Sequence, residues 1–263
     1  MRRQRNNNRS SKRGFAPEKA QKNIIYGKNP IEEVLKAGKR KVQEVLFAMN
    51  KDRLGESALG ALLVKNCVPC RAVTEDELDH ITGNGVHQNI VAYVSSLPES
   101  SLNDLLEDLQ EKEVILILDS IQDPQNFGTL CRSALSFGVR YVILPKDRSV
   151  KLTPAVIKAS AGAIDHLNII FVTNLVRAME KLKEQNVWLY GAALDETAQN
   201  LSELKPANRS AVVLGTEGVG LRRLVKESCD VLTKIPMAAG FDSLNVGQAG
   251  TVLLYEFGKQ IFI

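Results

Sequence analysis

From Val114 onward the chain alternates short unbroken apolar runs with longer amphipathic stretches. The runs are Val114–Leu118, Tyr141–Leu144, Ile169–Val172, Val187–Gly191, Ala211–Leu214 and Val231–Ile235, with helical patterns between them and a last helix from about Gly247 to Gly258. Continuous Val/Ile/Leu runs predict strands buried on both faces, and their alternation with helices predicts a parallel sheet in an α/β fold. Such sheets bind ligands at the carboxyl ends of their strands. Upstream, Ile24-Ile25-Tyr26-Gly27 leads into a helix near Pro30–Ala37, with Pro30 suited to a first turn. A strand over Val42–Phe47, helices over Leu54–Lys65 and Glu75–Ile81, and a strand over Ile90–Val94 complete a small α/β unit. Ser95–Ser101 reads as a hinge and Leu102–Leu109 as a short acidic amphipathic helix. The expected organisation is a basic tail over residues 1–22, a first domain over 23–95, a linker over 96–112 and a second domain over 113–263.

Charge sharpens this division. The net charge of +4 conceals a tail at +7, with eight Lys/Arg against Glu18, and a remainder at −3. A tail rich in Arg, Asn and Ser cannot bury enough apolar surface to fold alone. A polyanion is its natural partner, because each neutralised phosphate releases counterions; a solubilising end is the plainer alternative. No apolar run is long enough to span a bilayer, and the polar N-terminus has no apolar core of a secretory signal. A cytoplasmic location is expected. Cys67 and Cys70 form a C-x-x-C with no second pair or histidines at ligand spacing, so no metal site is expected and the two thiols read as small buried side chains. His80, His87 and His166 are isolated in sequence and read as structural or nucleic-acid contacts. Trp188, in a strand run, reads as core.

Three segments break the strand–helix pattern, each just after an apolar run. Asp119–Arg132 contains Asp123-Pro124, a turn signal, then Asn126 as a plausible helix cap and Arg132 in the second helical turn. Leu214–Arg223 sets Gly215, Gly218 and Gly220 around Glu217, which suggests close backbone approach to a ligand. Its spacing matches neither the dinucleotide fingerprint nor the phosphate-binding P-loop. Ile235–Gly250 mixes apolar residues with Asp242, Ser243 and Asn245, as expected for a pocket holding a thioether and an adenine. Taken singly, each is also compatible with an ordinary turn before a capped helix.

In this order and spacing, the three segments resemble the motifs of the SpoU (TrmH) family of RNA ribose 2′-O-methyltransferases, within the SPOUT superfamily. Ile25–Pro30 together with Val86–Ala92 resembles that family's N-terminal substrate-binding domain, which has a ribosomal-protein-like RNA-binding fold. The resemblance covers roughly residues 24–263, and the most similar subgroup methylates a guanosine ribose in bacterial 23S ribosomal RNA. Two departures stand out. Family members usually carry Ser-Val-Ala-Ala where this chain has Gly247-Gln248-Ala249-Gly250, and His-Gln-Gly where it has His87-Gln88-Asn89.

The resemblance implies a parallel sheet with a C-terminal trefoil knot, folding Leu214–Gly218 and Ile235–Asn245 around S-adenosylmethionine. It implies a homodimer with the active site near the subunit interface. Asn126, Arg132, Glu217, Ser243 and Asn245 take the catalytic positions. Leu214, Gly215, Gly218, Ile235, Met237 and Leu244 take the cofactor-binding ones. A guanidinium is effectively always protonated. Arg132 is therefore expected to stabilise developing alkoxide charge or to anchor a phosphate rather than to remove a proton. Two other readings stay open: a transfer-RNA methyltransferase of the same superfamily, which commonly lacks the first domain, and an RNA-binding protein that keeps the fold without turnover.

Overall fold

The computed structural model describes residues 23–48, 51–238 and 244–262. The basic tail and Ser243 lie outside the described residues. The N-terminal part is built from β1 (Asn23–Tyr26), α1 (Lys28–Ala37), β2 (Val42–Phe47), α2 (Lys51–Gly55), α3 (Ala58–Lys65), β3 (Cys70–Ala72), α4 (Glu75–Thr82) and β4 (Ile90–Val94). Its four strands form a mixed sheet in the order β1-β4-β2-β3. The helix expected over Leu54–Lys65 is two helices. Ser57 interrupts it, capping α3 by accepting a hydrogen bond from the Gly60 amide at 3.0 Å. Gly60 lies so close to the preceding turn that a Cβ there would meet the Leu54 carbonyl oxygen at 2.1 Å.

Two further expectations need correction. Cys67 and Cys70 are exposed, not buried. Cys67 sits in the turn leaving α3 with φ near 50°, and Cys70 opens β3, the exposed edge strand of the sheet. Trp188 is 50% exposed rather than core, since it is the first residue of its strand and burial begins with Leu189.

After α5 (Leu102–Glu107) comes a seven-stranded, wholly parallel sheet. Its elements are β5 (Glu113–Leu118), α6 (Pro124–Ser136), β6 (Tyr141–Pro145), α7 (Pro154–Ala159), β7 (Asn168–Val172), α8 (Leu175–Glu184), β8 (Trp188–Ala192), β9 (Gln199–Asn200), β10 (Arg209–Leu214), α9 (Arg223–Ser228), β11 (Val231–Lys234) and α10 (Val246–Phe262). The strand order is β7-β6-β5-β10-β8-β11-β9. Every residue of β5 and β6 is buried, as unbroken apolar runs require. Val114, Leu116 and Leu118 face one core with Phe127, Leu130, Leu253 and Phe257, whereas Ile115 and Ile117 face another with Leu105, Met179 and Leu182. Helices therefore cover both faces, α6 and α10 on one, α5 and α8 on the other.

The close pairing of α6 and α10 accounts for the glycines at the departure from the family pattern. A Cβ on Gly250 would stand 2.2 Å from Leu130 Cδ2 and 2.7 Å from Leu214 Cδ1, and one on Gly247 would crowd Thr129 at 3.3 Å. The Ser133 and Thr251 hydroxyls meet across the same seam at 2.6 Å.

A polar junction joins the N-terminal part to the large sheet. Arg40 and Asp165 are both buried and meet at 3.5 Å, while Arg40 Nε donates to the Ser95 carbonyl. Lys39 Nζ donates to the carbonyls of His166 and Leu167 and, at 2.8 Å, to Asn168 Oδ1. His166 Nε2 meets Glu33 Oε2 at 2.9 Å. Burial works to raise the Glu33 pKa, but hydrogen bonds to Lys36 and His166 outweigh it and leave the pKa lowered. Buried charges are costly to separate once paired, so this junction fixes how the two sheets meet.

Candidate functional site

The carboxyl ends of β10, β8 and β11 open onto a cleft of about 470 Å³. Leu214, Gly215, Glu217, Gly218, Ile235, Met237 and Leu244 line it, with Lys226 and Leu253. All six positions that the family resemblance assigned to the cofactor thus line one cleft, although they come from two separate segments.

The loop leaving β10 is folded back on itself. Thr216 and Gly220 exchange backbone hydrogen bonds at 3.1 and 2.8 Å. A Cβ on Gly215 would lie 2.2 Å from the Gly220 carbonyl carbon and oxygen, so only glycine permits the closure. Gly218 and Gly220 have φ of 80° and 72°, a region that side chains disfavour, and a Cβ on either would meet nothing within 4 Å. The loop is therefore bare backbone on its open side.

Asp119, the residue after β5, anchors this loop from inside. It is wholly buried and accepts from the Arg222 backbone amide at 2.9 Å and from Arg222 Nε at 2.6 Å. Its own amide donates to the Leu214 carbonyl at 2.7 Å. Arg222 ends the glycine loop, so one buried carboxylate ties the first segment to the second. Sequence reasoning quoted both residues without giving either a role. The available signal was a lone acid closing an otherwise apolar strand. On the opposite wall, Lys226 Nζ bonds Asp195 Oδ2 at 2.5 Å, and hydrogen bonds from Lys226 and Thr197 hold the Asp195 carboxyl far below the usual range.

The positions assigned to catalysis are placed less uniformly. Glu217 lies on the cleft and is exposed. Asn126 does not cap α6. That role falls to Asp123, whose carboxylate accepts from the Asn126 amide at 2.9 Å, with Pro124 at the first helical position. Asp123 stands at the cap position, one residue before the first helical turn, whereas Asn126 is already inside that turn with its side chain half-exposed. Arg132 is exposed on α6. Among the described residues, the side chains of Arg132, Glu217 and Asn126 form no hydrogen bond or ion pair. Asn245 caps α10, its Oδ1 accepting from the Gly247 amide at 2.8 Å. None of Asn126, Arg132 and Asn245 lines the cleft. His87, expected to be structural or a nucleic-acid contact, is buried and bonds Asp79 at 3.0 Å. Among the described residues, no group of three or more His, Cys, Asp or Glu is placed to hold a metal ion, and no helix is long and apolar enough to cross a membrane.

The cleft suits a ligand the size of S-adenosylmethionine. Its volume falls within the roughly 300–1,000 Å³ of small-molecule sites, and its walls combine apolar side chains with bare backbone, as an adenine and a thioether chain require. A parallel α/β sheet with a glycine loop over a cleft at the carboxyl ends of its strands is the arrangement of an α/β protein that binds a small ligand. The chain belongs to the SpoU rRNA methylase family, whose model matches residues 113–255, and residues 24–100 match the model for RNA 2′-O ribose methyltransferase substrate binding. It is 37% identical over 240 residues to the 23S rRNA (guanosine-2′-O-)-methyltransferase RlmB of Escherichia coli, covering 90% of this chain and 98% of that one. The corresponding Coxiella burnetii enzyme is 39% identical over 239 residues, covering 90% and 95%. The fold matches the SpoU methyltransferase AviRb of Streptomyces viridochromogenes, solved with AdoMet, with a TM-score of 0.74, 22% identity and coverage of 90% and 89%.

Proposed function

We propose that this chain transfers a methyl group from S-adenosylmethionine to a guanosine ribose 2′-hydroxyl in 23S ribosomal RNA, with the residues assigned above. The observation that carries the reading is the cleft itself, where the six positions assigned to the cofactor, from two segments, line one space around a self-closed glycine loop. The end-to-end similarity to 23S ribosomal RNA methyltransferases supports the choice of ribosomal RNA over a transfer RNA.

When bound, S-adenosylmethionine supplies a methyl group on a positively charged sulfur, already activated for displacement. Leu214, Ile235, Met237 and Leu244 enclose the apolar part of the cleft and exclude water. Gly215 and Gly218 let backbone approach where a side chain would intrude. The protein's remaining task is positioning and charge stabilisation, because a ribose hydroxyl is a poor nucleophile until its proton begins to leave. Arg132 meets the developing alkoxide charge or holds the neighbouring phosphate. Asn126, Glu217, Ser243 and Asn245 orient the ribose around it.

The reading includes a homodimer. On the outer side of the α6–α10 pair, Leu135, Val252, Tyr255 and Phe262 are 38 to 50% exposed, a run of large apolar side chains that a second copy would cover. Leu135 is three residues after Arg132 and therefore on the same helix face. Docking there would bring Arg132 of one subunit toward the site of the other. The segments 214–218 and 235–245 are assigned to a trefoil knot, consistent with β10 lying between β5 and β8 in the strand order. Residues 23–95 hold the RNA, the basic tail adds affinity, and the setting is the cytoplasm.

The test is methylation of an unmodified 23S ribosomal RNA transcript by the full chain with labelled S-adenosylmethionine, followed by mapping of 2′-O-methyl groups. One methylated guanosine is the expected product. Cofactor binding without any transfer would identify a non-catalytic RNA-binding protein, and transfer to a transfer RNA alone would move the substrate.

A further inference from the structure

A second and larger concavity runs between the small sheet and the β6–β7 edge of the large one. Its volume is about 1740 Å³, well beyond the roughly 300–1,000 Å³ of small-molecule sites, so its dimensions suit a polymer rather than a metabolite. The N-terminal part contributes Ile24 of β1, Tyr93 of β4 and His80 of α4 to its wall, and the second part contributes Lys146 just after β6, Phe171 of β7 and Arg177 and Lys181 of α8.

The charges in this groove are unequal. Arg40 also lines it but is neutralised by Asp165. Lys146, Arg177 and Lys181 have no ion pair or hydrogen bond from their side chains among the described residues. The carboxylate facing them is Glu99. The amino end of α8, capped by Asn174, opens onto the same space and adds the positive end of a helix dipole. Unpaired cations are therefore concentrated on one wall, above a floor of Leu152, Ile157 and Ile169.

The groove also adjoins the chemistry. Lys146 begins the segment linking β6 to α7. Within that segment, Val150 N donates to the Ile121 carbonyl at 2.8 Å, and Gln122 Nε2 reaches the Arg148 carbonyl at 3.4 Å. Ile121 and Gln122 lie in the loop between Asp119 and α6, the helix that carries Asn126 and Arg132. The lysine wall and the catalytic helix thus share one hydrogen-bonded loop. The Arg40–Asp165 and Lys39 junction keeps the two sheets in register across the groove.

We propose that this groove is the track along which the RNA strand passes from the substrate-binding part to the catalytic helix, with Lys146, Arg177 and Lys181 contacting its phosphates. This deepens the function proposed above and rests on it. Cations along a groove with an aromatic ring on either side, here Tyr93 and Phe171, are what a single strand requires: charge for the backbone and a flat surface for an unstacked base.

The experiment measures retention of an unmodified 23S ribosomal RNA transcript by the full chain across a salt series, without methyl donor. It compares wild type, the triple variant Lys146→Ala/Arg177→Ala/Lys181→Ala, and a control variant Lys112→Ala/Lys205→Ala at the opposite end of the sheet. Loss of three single-strand phosphate contacts should lower the slope of log affinity against log salt by about 2. The triple variant should bind at least about tenfold more weakly near 0.1 M salt, with unchanged affinity for S-adenosylmethionine measured separately. Lys146→Glu alone, outside any helix, should shift binding in the same direction. A wild-type slope in the triple variant would overturn the proposal, and so would an equal loss in the control. Because retention needs no methyl transfer, failure of the groove is distinguishable from failure of the enzymatic reading.

Discussion

The glycine loop at Leu214–Arg222 and the exposed face of α6 are neighbouring parts of one proposed site, and they are built on opposite principles. The loop is closed by its own backbone and tied by Asp119 to the strand beside it. Its shape is complete within one chain. The α6 face offers Asn126 and Arg132 to solvent, with no side-chain partner for either among the described residues. A guanidinium without an internal carboxylate stays available for an incoming charge. The difference implies a division of labour. On the proposed reading, the donor side is preorganised before anything binds, and the acceptor side waits for RNA and a second subunit to complete it.

The largest expected effect breaks the acceptor side alone. Arg132→Ala should slow single-turnover methylation by about a thousandfold, about 4 kcal/mol, typical of removing one group that stabilises transition-state charge. Cofactor affinity, read by calorimetry, should stay at the wild-type value. A matching fall in cofactor affinity would place Arg132 in the donor half and erase the comparison. Arg132→Lys should rescue poorly, because a point charge does not reproduce the planar fork.

Gly215→Ala breaks the donor side. The added methyl meets the Gly220 backbone, which cannot move without opening the loop. Overpacking of this kind costs about 1–3 kcal/mol, so cofactor affinity should fall about tenfold to a hundredfold. This variant also sharpens the subunit question. Co-expressed with Arg132→Ala, it should recover about a quarter of wild-type activity, the share of intact sites in random two-fold dimers. No recovery beyond the two separate variants would show that Arg132 serves the cleft of its own chain.

The smallest effect comes from the tie between the halves. Arg222→Ala removes the guanidinium partner of Asp119 while leaving the bonds from the Arg222 backbone amide and the Ser120 hydroxyl. Charge-assisted hydrogen bonds contribute about 1.5–3 kcal/mol. Part of this should appear as lower thermal stability and the rest as roughly tenfold weaker cofactor binding, since tenfold is about 1.4 kcal/mol. Wild-type cofactor affinity with lowered stability would reduce Asp119 to a purely structural anchor.

Periodicity was a good guide wherever a strand is buried on both faces. The six apolar runs of the second half correspond to β5, β6, β7, β8, β10 and β11 within a residue or two at each end. Short or edge elements were less legible. β3 is three exposed residues and β9 only two, too few to print a pattern. Cys67 and Cys70 look like core by residue type, yet both are exposed, Cys67 in the turn after α3 and Cys70 on an edge strand that has a neighbour on one side only. Asn126 was misread as a cap because Asp123, three residues earlier, competes for the same amides and wins by position.

The sequence alone determined the parallel α/β architecture, since apolar continuity is a local property of the chain, and the family resemblance its motifs carry picked out six of the residues that line the cleft. Tertiary structure alone decided that Asp119 meets Arg222 across 103 positions, that Gly250 lets α10 seat against Leu130, and that Lys146, Arg177 and Lys181 share a groove with Tyr93. Those relations depend on which strand lies beside which. Strand order is set by the packing of helices against both faces of the sheet, an interaction between distant segments that no window of sequence contains.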